Sequence, residues 1–284
     1  MPVLKVDLHI HSEHSDGENS LREIFNIIQK QKIAMFSITD HNYISPHIKK
    51  IEKQASKKGI TLIQGIEISS HDSDNQISMH ILGYSRNFDI DKINKSLKDV
   101  IRGYNTRAKK IIKKLNNKYQ SLKLNFNSLI EKGKSPFVSR NILANELVKF
   151  YKKNQNRQYS MKQALEEAYT KEKDNSWLMS PKKAVEIIVA CGGTPVLAHP
   201  GKMIKFIKKN KKFIQILKES GLAGLEMLYP SHNEKEKKNL FLLAKKYNLF
   251  VTAGSDWHGK MYPPFSGIGI RVNKDFFLQL KKNL

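Results

Sequence analysis

His9 and His11 stand two residues apart in the run Val6-Asp-Leu-His-Ile-His-Ser-Glu-His-Ser-Asp-Gly17. The run reads as a strand, whose side chains alternate faces, so both imidazoles point the same way and Asp7 shares their parity. Ser15-Asp16-Gly17 turns the chain and offers a further carboxylate. Two imidazoles at a strand end with an acid just beyond can grip a divalent metal. An isolated His-x-His carries little weight, but here the setting recurs. His41 follows in Thr39-Asp-His41, Glu67 in Gly65-Ile-Glu67 and His80 in Met79-His-Ile-Leu-Gly-Tyr84; His199 stands in Ala198-His-Pro200, and Asp256 and His258 in Ser255-Asp-Trp-His258. These nine donors are all oxygen or nitrogen, too many for one tetrahedral ion and suited to three ions sharing a bridging carboxylate. Asp7 and Asp40 either orient a neighbouring imidazole or serve the fold alone. His14, His47 and His71 have no comparable setting and read as surface residues.

The donors need elements to hold them. Short apolar runs at Leu4–His11, Met35–Thr39, Thr61–Ile66, Ile77–Tyr84, Thr194–Leu197, Gly224–Met227 and Phe250–Ala253 read as about seven strands. Helical patterns lie between them. One opens on the capping box Ser20–Glu23, another on Ser180-Pro181. The alternation implies an α/β fold with parallel strands, and the donors fall at strand C-termini or in the loops after them. In a parallel barrel that face carries the active site. From about residue 91 to 175 the pattern is helical throughout, with Ile93, Leu97, Ile101 and Tyr104 on one helix and Met161, Leu165, Ala168 and Tyr169 on the last. The expected organisation is a barrel over 1–90 and 176–284, interrupted by an all-helical insertion over 91–175.

With 39% hydrophobic residues the chain is globular, and no apolar run reaches membrane-spanning length. No secretory leader pattern is visible, so the cytoplasm is the expected compartment. The single cysteine, Cys191, lies in an apolar helical run and reads as a small buried residue. The formal net charge is +24. Either a nucleic-acid or polyphosphate partner explains it, or a genome rich in lysine codons does, since the lysines are scattered over most helices.

The motifs Val-Asp-Leu-His-Ile-His…Ser-Asp-Gly, Thr-Asp-His, Gly-Ile-Glu, His-Ile-Leu-Gly-Tyr, Leu-Ala-His-Pro-Gly and Gly-Ser-Asp-Trp-His-Gly resemble, in order, those of the PHP (polymerase and histidinol phosphatase) metallohydrolases. The resemblance spans nearly the whole chain. It is nearest to the branch of nucleoside 3′,5′-bisphosphate phosphatases that also act as 5′→3′ exoribonucleases on short RNA. It implies a distorted (β/α)7 barrel and three ions, usually Mn2+, although His, Asp and Glu donors also suit Zn2+ or Fe2+. By that resemblance His9, His11, Glu67 and Asp256 hold one ion, Glu67 bridges to a second held by His80 and His199, and Asp16, His41 and His258 hold the third. It also implies a phosphate-binding arginine in an Arg-Pro-His-Ile-Ala context. The matching stretch here is Ser139-Arg-Asn-Ile-Leu-Ala144, which keeps Arg140 but has Ile142 at the histidine position. Tyr229-Pro-Ser-His232 resembles a loop near the site, making His232 a candidate substrate contact.

The expected reaction is metal-assisted phosphoester hydrolysis, with no catalytic side chain beyond the ligands that activate water. The expected substrate is a nucleotide or short RNA or DNA, with no membrane; the sequence leaves protein partners open. Three alternatives stand beside it: a phosphatase of a small metabolite such as histidinol phosphate, a hydrolase of another bond, and a non-catalytic RNA-binding module. The helical insertion argues against the first, and the full donor set against the last.

Overall fold

The computed structural model describes residues 3–154, 159–168, 175–260 and 267–284. Tyr169 and the rest of 169–174, which the sequence reading assigns to the helical insertion, lie outside the described residues. The strands are β1 (Leu4–Asp7), β2 (Met35–Ile38), β3 (Thr61–Asp72), β4 (Ile77–Ser85), β5 (Thr194–Leu197), β6 (Gly224–Leu228), β7 (Phe250–Ala253) and β8 (Ile270–Val272). The first helices are α1 (Leu21–Lys30) and α2 (Ile48–Ser56). The helical segment follows with α3 (Ile90–Ser96), α4 (Lys98–Lys118), α5 (Phe126–Gly133), α6 (Arg140–Asn154) and α7 (Met161–Glu167). The remainder are α8 (Pro181–Ala190), α9 (Ile204–Lys209), α10 (Lys211–Glu219), α11 (Glu234–Lys246) and α12 (Lys274–Asn283).

The strands form one sheet in the order β7-β6-β5-β4-β3-β2-β1-β8. The sheet curls until the chain after β1 meets the end of β7. Leu8 N–H donates to the Ala253 carbonyl at 3.0 Å, and His11 N–H to that of Trp257 at 2.9 Å. Gly254 allows this approach, because a Cβ there would stand 2.3 Å from the Cβ of His9. The result is a nearly closed α/β barrel, as expected, with two departures. First, the strands are not all parallel. β4 runs antiparallel to β3 and β5, and β8 antiparallel to β1. The connection from Asp72 to Ile77 is too short for a crossover, so β3 and β4 must form a hairpin. Second, β8 is an eighth strand. Its three residues are too few to show a period in sequence.

Neighbours along each strand belong to different cores, as two-residue periodicity requires. Phe36, Leu62, Ile81 and Leu197 pack with helix residues such as Ile24, Ile28, Ile48 and Ile188. Met35, Ile63, Leu82 and Val196 face the opposite side with Val6, Leu8 and Tyr84. Glu67 has the parity of Ile63 and His80 that of Leu82, so both stand on this second face. Ser20 and Glu23 form the capping box that starts α1, and Ser180 caps α8 with Pro181 in its first turn. Cys191 is buried.

Among the described residues the segment from α3 to α7 contains helices only. It has its own core of Ile111, Leu115, Leu129, Leu143, Leu147 and Ala164. Ile93 and Leu97, together with Val100 near the start of α4, pack instead into the barrel. No helix among the described residues is long and apolar enough to cross a membrane.

Candidate metal centre

Glu67 is at the middle of the centre. It is 1% exposed, and its carboxylate touches five imidazoles. Oε2 lies 3.2 Å from His9 Nε2, 3.1 Å from His11 Nε2 and 3.2 Å from His41 Nδ1; Oε1 lies 2.9 Å from His80 Nδ1 and 3.2 Å from His199 Nε2. Asp256 Oδ1 approaches His9 and His11 Nε2 at 3.3 and 3.2 Å. Asp16 Oδ1 lies 3.3 Å from His258 Nε2, and Asp16 Oδ2 lies 3.9 Å from His41 Nε2. The structure brings all nine sequence-predicted donors together.

Their routes to the rim differ from the sequence expectation in two cases. Glu67 does not end a strand but lies midway along the long β3, and His80 lies within β4. Because β4 runs against its neighbours, its early residues reach the face where the parallel strands end. His9 and His11 lie just past β1, and His41 bridges to Glu67 just after β2. His199 and Asp256 follow β5 and β7 with φ of 32° and 55°. Such left-handed backbone is uncommon outside glycine and turns each side chain sharply off its strand.

The donors fit metal ions on two grounds. His9 Nε2, His11 Nε2, Asp16 Oδ1, His41 Nδ1, Glu67 Oε2 and His199 Nδ1 are buried without a hydrogen-bond partner. Buried polar atoms are normally satisfied, so a cluster of unsatisfied ones facing each other calls for a bound group. Ligand atoms also gather within 4.8 Å of one another in three sets: His9, His11, Glu67 and Asp256; His11, Asp16, His41 and His258; and His41, Glu67 and His80. The third set differs from the sequence expectation, since His41 stands in it where His199 was expected. His199 nevertheless touches the same oxygen of Glu67 as His80 does.

The electrostatics agree. Burial opposes charge on His9, but Glu67, Glu226 and Asp256 outweigh it and hold the imidazole well above its usual range. His11 is likewise pushed up to about 10, with Asp256 and Glu67 overcoming burial. Burial would raise Glu67 and Asp256, yet the surrounding imidazoles hold both well below the usual carboxylate range. At His41 burial prevails and lowers it to about 3. The acids therefore demand positive charge, which protons supply here and for which divalent cations compete.

A search of family models matches the PHP domain over residues 7–220. The chain belongs to the PHP domain family. The 5′-3′ exoribonuclease of Haemophilus influenzae is 28% identical over 89% of this chain and 90% of its own length. The 3′,5′-nucleoside bisphosphate phosphatase of Chromobacterium violaceum is 25% identical over 90% and 88%. The phosphoribosyl 1,2-cyclic phosphate 1,2-diphosphodiesterase of Eggerthella lenta is 25% identical over 94% and 98%. In fold, a Bifidobacterium adolescentis structure described as that of a metal-dependent phosphoesterase superposes with a TM-score of 0.78 at 22% identity, covering 100% of this chain and 96% of its own. Family and donor set together make the chain a metal-dependent PHP phosphoesterase.

Several residues of this PHP site escape a reading of the sequence. Glu226 of β6 is fully buried; its Oε1 accepts from His9 Nδ1–H at 3.0 Å and its Oε2 from the His199 N–H at 2.8 Å. The first bond fixes the His9 tautomer and turns the Nε2 lone pair toward the centre. An acid inside the apolar strand Gly224-Leu-Glu-Met-Leu228 is the signal that would have found it. Tyr229 donates its O–H to Asp256 Oδ2 at 2.9 Å, and Asn141 donates to Asp16 Oδ2 at 2.6 Å.

Asp7 and Asp40 hold backbone and serines and touch no imidazole. Asp7 accepts from the N–H groups of His9, Ser255 and Gly269, and burial raises it to about 6. Asp40 accepts from Ser12 N–H and from the hydroxyls of Ser12 and Ser15, folding the loop that carries Asp16. His14 and His71 are buried, correcting the expectation that they lie on the surface. His14 bonds the Lys134 carbonyl and His71 the Ser78 hydroxyl.

Arg140 opens α6 and lines a cavity of about 400 Å³ whose wall includes Asp16, His41, His80 and Asn141. His232 does not line it. It is 3% exposed, with Nε2 accepting from Gly201 N–H and Nδ1–H donating to the Met227 carbonyl, both at 3.0 Å. Both ring nitrogens are committed to backbone, so His232 braces the loop after His199.

Proposed function

We propose that the protein hydrolyses nucleoside 3′,5′-bisphosphates and releases 5′-phosphomononucleotides from the 5′ end of short RNA. In this reading His9, His11, Glu67 and Asp256 hold one divalent ion; Glu67, His80 and His199 hold a second; Asp16, His41 and His258 hold a third. Manganese is the metal we expect. Ions bound there would lower the pKa of water and offset the charge that develops on the phosphate.

The protein's own contribution is placement. Glu226 keeps His9 in one tautomer. Tyr229 occupies one oxygen of Asp256 and leaves the other facing His9 and His11. Asn141 ties Asp16 to the helical wall. Arg140 grips the phosphate that is not cleaved, its planar fork matching phosphate oxygens. That grip sets where the scissile ester lies, and orientation alone governs large rate factors.

One observation carries the reading: Arg140 lines the same cavity as Asp16, His41 and His80. A monoester without a second phosphate has no use for that arrangement. The test is metal analysis of the purified protein together with turnover of adenosine 3′,5′-bisphosphate and a 5′-phosphorylated RNA oligomer. Hydrolysis of at least one, dependent on added metal, is expected; inactivity on both with a metal-loaded protein sinks the assignment.

A second reading is a diesterase of a cyclic phosphate on a phosphorylated ribose. It is favoured by the end-to-end match to the Eggerthella lenta relative. That substrate also pairs a scissile ester with another phosphate, so it would use Arg140 in the same way. A turnover comparison of the cyclic phosphate with the bisphosphonucleotide separates the two.

A further inference from the structure

The loop from Ser12 to Asp16 is a partition. On one side Asp16 lines the cavity that holds the metal donors and Arg140. On the other, Glu13 and His14 line a separate recess of about 550 Å³. The helical segment meets the loop along this partition. Lys134 Nζ lies 2.9 Å from Glu13 Oε1, His14 Nδ1–H donates to the Lys134 carbonyl at 3.0 Å, and Asn141 holds Asp16. The far walls of the recess are the first turns of α1, with Leu21 and Arg22, and of α2, with Lys50 and Ile51; His47 precedes α2.

The recess is cationic at its rim and apolar at its floor. Glu13 is the one acid among its lining residues, and Lys134 pairs with it. The side chains of Arg22 and Lys50 make no hydrogen bond or ion pair with any described residue. Both stand in the first turn of a helix, where the backbone dipole opposes a cation, and α2 has no acid there to offset it. A bound anion relieves both. Leu21 and Ile51 are buried beneath. The His47 ring lies 6.4 Å from that of His14 and 28° from parallel to it, a flat face on which a base can stack.

His14 narrows the choice of anion. It is 6% exposed. Its Nδ1–H is spent on the Lys134 carbonyl, so Nε2 of the neutral ring is an acceptor, and no described residue donates to it. A bare acceptor beside free cations suits a ligand that carries a hydroxyl next to a phosphate. A ribose 2′-hydroxyl meets this need, and a deoxyribose has none.

We infer that this recess binds a ribonucleotide of the RNA strand beyond the scissile ester, with its phosphate on Arg22 and Lys50, its 2′-hydroxyl on His14 Nε2 and its base against His47 and the apolar floor. The inference rests on the exoribonuclease part of the proposed function and deepens it. A bisphosphonucleotide ends at the metal donors; an oligomer crosses the partition and uses both sides.

Three substrates isolate the effect: adenosine 3′,5′-bisphosphate, a 5′-phosphorylated RNA pentamer and the matching DNA. In the double variant Arg22→Ala/Lys50→Ala, kcat/KM on the RNA should fall by about 10- to 100-fold, mainly through KM. Turnover of the bisphosphonucleotide should stay within about twofold. His14→Asn, whose amide can keep the bond to the Lys134 carbonyl, should lower the preference for RNA over DNA by about 2- to 10-fold. Circular dichroism and metal content are measured on each variant. A folded, metal-loaded double variant with an unaltered KM for the RNA overturns the inference, as does an equal loss on RNA and bisphosphonucleotide.

A second arm does not depend on turnover. The pentamer carries a methylene group in place of the bridging 3′ oxygen of its first linkage, which blocks hydrolysis, and 4-thiouridine as its second nucleotide. It is photo-cross-linked to the manganese-loaded protein and the peptides are mapped by mass spectrometry. Cross-links should fall in residues 13–22 and 47–54. Cross-links confined to other surfaces overturn the recess. If the native protein hydrolyses none of the substrates but cross-links there, the hydrolase reading fails while the RNA site stands.

Discussion

The two sides of the cavity are built differently. On the barrel side several donors are locked by another residue: His9 by Glu226, His258 by the Asp256 carbonyl, Asp256 by Tyr229. Most of these groups are almost wholly buried, and several carry lone pairs that no protein atom satisfies. On the helical side Arg107 rests on aromatic rings, and Asn141 reaches across to a donor, Asp16. The helices have their own core. In the proposed reading this is a division of labour: the barrel carries the chemistry, and the wall chooses what is presented to it.

The largest effect should come from the barrel. Glu67→Ala removes the carboxylate that touches five imidazoles and should bring hydrolysis of every substrate to near background. His9→Ala and Asp256→Asn should follow closely, with circular dichroism showing a folded protein in each case. A wall substitution should act selectively. Arg140→Ala should lower kcat/KM on a bisphosphonucleotide by something on the order of 10–10³, with a clearly smaller loss on a simple activated monoester. Equal losses on both would mean that Arg140 is structural or contacts the scissile phosphate. Glu226→Gln lies one step back from the metals. It should weaken metal affinity by roughly 10–100-fold, measured by titrating metal into the stripped protein; native affinity would show that the His9 tautomer needs no such support.

Smaller effects sharpen the boundary between the sides. Leu143→Ala in the helical core should destabilise that segment by about 2–5 kcal/mol. Hydrogen exchange should speed up in α6 while the metal content of the barrel is retained. Loss of metal together with the helices would join what the comparison separates. The +24 charge gives the mildest test. If the lysines bind RNA, affinity for a 5′-phosphorylated oligomer should fall more steeply with salt than affinity for a bisphosphonucleotide, because more phosphates are neutralised. Equal slopes favour a compositional origin for the charge.

The same division explains what could be read from the sequence. The nine donors were legible because histidine, aspartate and glutamate recur beside short apolar strands, where such residues are otherwise unwelcome. The barrel class was legible from strand–helix alternation. The antiparallel course of β4 is not legible there, because the apolar pattern ends the third strand at Ile66; only the extension of β3 to Asp72 leaves the four residues that rule out a crossover. Glu226 carried a usable signal as an acid in an apolar strand. Arg107 carried none, because one arginine on a helix crowded with lysines looks like solvated surface. Its setting depends on Trp177, seventy residues away and brought close only by tertiary packing. Buried His14, His71 and His232 are likewise invisible as braces, since most of their partners are backbone atoms, which carry no side-chain signal.

The central claim is that Glu67 unites several metal ions on the barrel rim. Metal content by mass spectrometry, measured beside turnover for native protein and Glu67→Ala from one manganese-saturated preparation, tests it most directly. The account predicts three ions per native chain, and in the variant a joint loss of bound metal and of turnover on both a bisphosphonucleotide and an activated monoester. Near-normal turnover in Glu67→Ala, or a native protein that hydrolyses phosphoesters with no metal bound, would contradict it.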